Sequence, residues 1–163
     1  MKRKTCSAWL LVSSLAAAGA VAASGAGGTE ATNPESPIVL PVNELKWIDL
    51  DPTGAPGVKV ANLWGDFRTG AFGAIFRLPP GFSAPLHAHT HAMKLVILSG
   101  TYVQAPEGKP AFRLGPSSYL MQPGGDYRHT TDCEPASECV FFVESSGAFD
   151  LHWITPESTV APQ

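Results

Sequence analysis

Gly81-Phe-Ser-Ala-Pro-Leu-His87-Ala-His89-Thr-His91-Ala-Met93 sets histidines at every second position. Side chains of an extended strand return to the same face every second residue, so His87 and His89 project together into one space. Neutral imidazole ligates Zn, Fe, Cu and Ni, and two rings converging on one point begin a metal site. A third histidine, His129, follows the Pro123-Gly-Gly125 turn and would complete a facial set of three. His129 has an alternative role as a hydrogen-bonded core histidine. His91 shares the parity of the pair but falls where the chain should leave the strand. It is either an additional ligand or an imidazole at the rim.

Outward from this stretch, short apolar runs alternate with Gly and Pro, and no long segment repeats at helical spacing. Strands are predicted at 47–50, 59–64, 72–78, 86–89, 93–98, 101–104, 111–114, 118–122, 127–131, 139–144 and 149–153. Turn signals separate them, among them Pro79-Pro-Gly81, Ser99-Gly100, Pro106-Glu-Gly108, Gly115-Pro116 and Pro123-Gly-Gly125. Many short, evenly spaced strands point to an all-β antiparallel sandwich or barrel. Within 72–78, Phe72, Ala74, Phe76 and Leu78 share one face, expected to meet the core, and Arg77 leaves from the other. Leu95-Val-Ile-Leu98 is apolar on both faces, as a central strand would be.

The ends carry a different signal. Lys2, Arg3 and Lys4 precede an apolar, small-residue run from Ala8 to Ala23, and Ala20-Val-Ala22 offers a cleavage site. Residues 1–23 therefore read as a signal peptide, with a retained N-terminal anchor as the competing reading, and the mature protein is expected in the periplasm or outside the cell. Residues 24–36 read as a flexible leader, 37–155 as one domain and 156–163 as a loose tail. Cleavage removes three of the eleven Lys and Arg and none of the fourteen Asp and Glu, leaving a net charge of −6. An acidic domain without a basic cluster is not expected to bind nucleic acid or, in its mature form, anionic membrane. Cys6 falls in the removed part. Cys133 and Cys139 flank a five-residue loop, and an oxidising destination favours a disulfide between them. A redox or metal-binding thiol pair is the alternative.

The motifs resemble those of the cupin superfamily. Its first motif reads Gly, five residues, His-x-His, three or four residues, Glu, six residues, Gly. Gly81, His87, His89 and Gly100 fall on that spacing, with Met93 where the glutamate belongs. The second motif, Gly followed by Pro-x-Gly and His, is matched more loosely by Gly115, Pro123, Gly125 and His129. The likeness runs over residues 45–153 and is to small, single-domain, RmlC-like cupins. It implies a jelly-roll β-barrel with a divalent transition metal (Fe, Mn, Zn or Cu) held inside on His87, His89 and His129. It also implies a small-molecule ligand, dioxygenase-like or isomerase-like chemistry, and a homodimer. A non-catalytic module binding a small molecule or metal is the rival.

Met93 leaves three readings open. It only lines the pocket of a three-histidine metal; it is a soft, weak ligand that favours copper; or the metal is lost and the cavity takes an organic molecule. Gln104, Tyr119, Gln122 and Tyr127 are candidates to line the pocket and orient a ligand, and Asp126 and Asp132 to support a ligand histidine. His152, between Leu151 and Trp153, is expected to face solvent.

Overall fold

The computed structural model describes residues 36–51 and 55–155. The expected signal segment, nearly all of the leader and the tail lie outside the described residues. A compact unit begins at Val39. After a single 3-10 turn at Val42–Glu44 the described chain is strand and loop: β1 (Trp47–Asp51), β2 (Ala55–Gly65), β3 (Phe72–Leu78), β4 (Ser83–Ala88), β5 (Met93–Ser99), β6 (Tyr102–Pro106), β7 (Phe112–Leu114), β8 (Tyr119–Gln122), β9 (His129–Cys133), β10 (Cys139–Ser145) and β11 (His152–Trp153).

These strands form two antiparallel sheets, ordered β1-β2-β3-β10-β5-β8 and β11-β4-β9-β6-β7. This is the jelly-roll arrangement, made of two sheets rather than one hydrogen-bonded ring. Alternation along each strand explains the packing. Phe72, Ala74, Phe76 and Leu78 are all buried, and Arg77 on the opposite face lies 4.2 Å from the centroid of Trp47. Phe76 stacks on Phe141 at 5.8 Å and meets Phe149 at 5.3 Å, so aromatic surface fills the space between the sheets. Burying each such ring contributes about 2 kcal/mol. β5 lies inside its sheet, paired with β10 and β8 as expected of a central strand, but its outer residues Val96 and Leu98 stand partly exposed beside Tyr119 and Met121 of β8.

Four strands begin two or more residues from where predicted, β2 at Ala55, β4 at Ser83, β9 at His129 and β11 at His152, and for β4 and β9 the reason is local. β4 starts at Ser83, before Pro85, because its pairing with β9 shifts by one residue between Ala84 and His87. A bulge tolerates proline, which has no amide hydrogen to give the ladder. It also puts Ala84 and His87, three residues apart, on the same buried face. The Pro123-Gly-Gly125 turn then docks beside β4. A Cβ at Gly124 would lie 2.4 Å from the Thr90 carbonyl oxygen, and the Gly125 amide donates to the His89 carbonyl at 2.9 Å. This approach requires glycine and delays β9 until His129.

Cys133 and Cys139 form a disulfide with a Cα–Cα distance of 5.8 Å. It joins the end of β9 in one sheet to the start of β10 in the other. Closing so small a loop restricts the unfolded chain by about 2 kcal/mol. The double variant Cys133→Ala/Cys139→Ala should therefore unfold roughly 8 °C lower in calorimetry. An unchanged melting temperature would show that the bridge contributes nothing to stability.

Candidate metal centre

β4 and β9 bring the histidines together. His87 is the register partner of His129, and His89 follows at the end of β4. The rings lie 4.3 Å (His87–His129), 5.1 Å (His87–His89) and 5.4 Å (His89–His129) apart between centroids. All three side chains are buried, His129 completely. One ligand nitrogen from each lies within 4.8 Å of the other two, the only such group among the described residues. Bonds of about 2.1 Å to one ion hold such nitrogens roughly 3.4 Å apart, so movement of about an ångström at the ring tips would close the set.

The tautomers suit that purpose. His87 Nδ1 lies 2.7 Å from the Pro85 carbonyl oxygen, His89 Nδ1 2.5 Å from that of Asp150, and His129 Nδ1 3.4 Å from that of Tyr127. A carbonyl can only accept, so each Nδ1 carries the hydrogen and each Nε2 keeps a lone pair. His129 Nε2 is buried and has no partner among the described residues. Buried polar atoms are nearly always satisfied, so an orphaned acceptor facing two more imidazoles fits a metal ion. Burial is also the largest influence on their protonation. It lowers the His87 pKa against the opposing pull of the Pro85 carbonyl, and takes His89 down to about 4. Burial and the neighbouring His87 and His89 take His129 down to about 3.

Beyond the imidazoles lies an apolar cavity of about 70 Å³, walled by side chains such as Phe76, Met93, Leu95, Phe141 and Phe149, with Trp153 5.6 Å from His87. That is roughly half the ~150 Å³ that takes up one benzene molecule, so a ligand must be small or project outward. Among the described residues, no Asp, Glu, Lys or Arg lines it.

The other candidates separate. Met93 lines the cavity directly across the strand pair from Gln122. Gln104 and Gln122 are fully buried, and Tyr127 stacks on His129 at 5.3 Å. Tyr119 is not brought to the cavity. With Gln122 turned inward, strand alternation turns Tyr119, three residues earlier, outward, and it is 59% exposed. His91 is only half-buried, rests its ring against Gly147 and stands outside the histidine group. Asp126 and Asp132 hold none of the three rings. That task falls to backbone carbonyls, including that of Asp150, whose carboxylate also accepts from the Thr90 amide at 2.9 Å. His152 is exposed and lies 3.1 Å from the same carboxylate. Sequence reading missed Asp150 because a main-chain acceptor leaves no side-chain signature.

A model of the ChrR cupin-like domain matches residues 35–148. No curated protein matches the sequence. Among solved structures, the polyketide cyclase RemF from Streptomyces resistomycificus is similar with a TM-score of 0.63 at 17% identity, over 76% of this chain and 89% of that one. An RmlC-like cupin from Shewanella frigidimarina gives 0.54 at 17%, over 69% and 93%. The DMSP lyase DddQ from Ruegeria pomeroyi gives 0.53 at 22%, over 64% and 57%. These likenesses establish the fold.

The lowered histidine pKa values give metal-free protein a pH dependence of definite sign. Each ring takes up a proton more readily unfolded, near 6.5, than folded. Their contribution to stability is complete above pH 6.5 and is lost as pH falls towards 4 and then 3. Melting temperatures of metal-free protein should drop steadily below pH 6.5, and the slope should shrink in His129→Gln. A flat profile would mean that the rings are not buried as neutral groups.

Proposed function

We propose a function from one premise: this chain belongs to the ChrR cupin-like family, whose model spans residues 35–148. His87, His89 and His129 hold one divalent transition ion, and the ion and the apolar cavity together bind a small organic molecule. The orphaned Nε2 of His129, buried beside two more imidazoles, carries this reading. An all-imidazole set without a carboxylate favours Zn, Cu or Fe over Mn. Met93 contributes a neutral wall rather than a charge.

When bound, such an ion acts as a Lewis acid on a carbonyl or enolate oxygen. The chain's own residues do the rest. The Pro85, Asp150 and Tyr127 carbonyls fix the three rings, and Phe76, Phe141 and Phe149 keep water from the ligand. Dioxygenase-like or isomerase-like turnover of a small carbonyl or enol compound follows from such a site. Capture without turnover is the second reading. It is favoured by the absence, among the described residues lining the cavity, of any carboxylate or lysine to move a proton.

Export through the N-terminal segment is part of the proposal, and the Cys133–Cys139 bridge supports it because disulfides persist in oxidising compartments. Pairing of two copies is also proposed, with the exposed Val96, Leu98, Tyr119 and Met121 as apolar surface available for it.

Tag-free protein should carry about one equivalent of Zn, Cu or Fe by elemental analysis, and His87→Ala and His129→Ala should lose it. Equal trace metal in all three would overturn the metal centre. Mass spectrometry of protein recovered from the periplasm or medium should find a chain beginning near residue 24. An intact Met1 in that fraction would refute cleavage.

A further inference from the structure

Gln122 is 1% exposed, lines the same cavity as His87 and His89, and has no partner among the described residues for its side-chain amide nitrogen. Its oxygen is already engaged. Tyr127 O–H donates to Gln104 Oε1 at 3.3 Å, and Gln104 Nε2 donates to Gln122 Oε1 at 2.6 Å. With each oxygen taken, the hydrogens of Gln122 Nε2 are left over. A buried amide donor without an acceptor costs about 1–3 kcal/mol, so the arrangement calls for an acceptor from outside the protein.

We propose that Gln122 donates a hydrogen bond to an oxygen of the ligand bound at the three-histidine centre, and so selects compounds with two oxygens on a small apolar frame. This rests on the metal-centre reading above. The cross-strand pairing of Gln122 with Met93 is the structural reason. The thioether leaves that side of the cavity without a charge, and the amide supplies its polar group. Among the described residues no Lys or Arg lines the cavity to hold a free carboxylate, so a β-diketone or its enol fits better than a dicarboxylic acid. The second oxygen would accept from Gln122 while the first faces the imidazoles.

The test loads full-length protein with Co(II) and titrates it with acetylacetone, following the visible spectrum of the metal. Gln122→Met removes the donor at near-constant volume. Gln122→Glu keeps an acceptor for Gln104 and replaces the donor with an anion, which guards against a misfolded Met variant. Both should take up Co(II) as wild type does and bind acetylacetone at least tenfold more weakly, with the Glu variant weaker than the Met variant. Equal Co(II) uptake with equal acetylacetone affinity in all three proteins would overturn the role of Gln122 and leave the metal centre standing. Failure of wild type to take up Co(II) would remove the metal centre and this proposal with it. Uptake of Co(II) by wild type without any response to acetylacetone would overturn the ligand class.

Discussion

The pairing of β4 with β9 is the constraint on which the rest of the molecule turns. It sets His87 opposite His129, and its one-residue bulge at Pro85-Leu86 keeps Ala84 and His87 on the same inner face. A regular ladder would give those two residues opposite faces. Pro85 serves the site twice: it is tolerated only because the strand bulges, and its carbonyl fixes the tautomer of His87. Local chain geometry and ligand chemistry are one feature here.

The three rings are kept neutral at a cost. Each has left water for an aromatic interior that continues through Phe149, 5.3 Å from His89, to Phe76 and Phe141. Hydrogen bonds to main-chain carbonyls offset part of that loss on the Nδ1 side. The Nε2 side of His129 has no such compensation, and neither does the amide nitrogen of Gln122. Two unsatisfied buried groups near one cavity are the local inconsistency expected of a site shaped for something other than the chain itself.

The fold was largely legible because its signals are local. Period-two alternation in Phe72–Leu78 and Met93–Ser99, with glycine and proline between strands, reports strand position without knowledge of partners. The His-x-His spacing likewise places two imidazoles on one face. The start of β4 at Ser83, across Pro85, was not legible, since a bulge depends on the partner strand. The Gln104–Gln122 bond was beyond reach for the same reason: it links β6 of one sheet to β8 of the other. Tyr119, by contrast, could have been placed. An odd separation from Gln122 within one short strand does not allow both to face inward. The main-chain acceptors at Asp150 and Tyr127 are written in no side chain at all.

Cys133 stands four residues beyond His129 on β9, about 13 Å along the strand, and binds covalently across to the opposite sheet. The sulfur bridge therefore ties the two layers at one end, while near Trp153 they are joined by the crossover from β10 to β11 and by the Phe149 amide, which donates to the Phe67 carbonyl at 2.7 Å. Covalent closure at this end limits how far β9, and His129 with it, can slip against β10 of the other sheet.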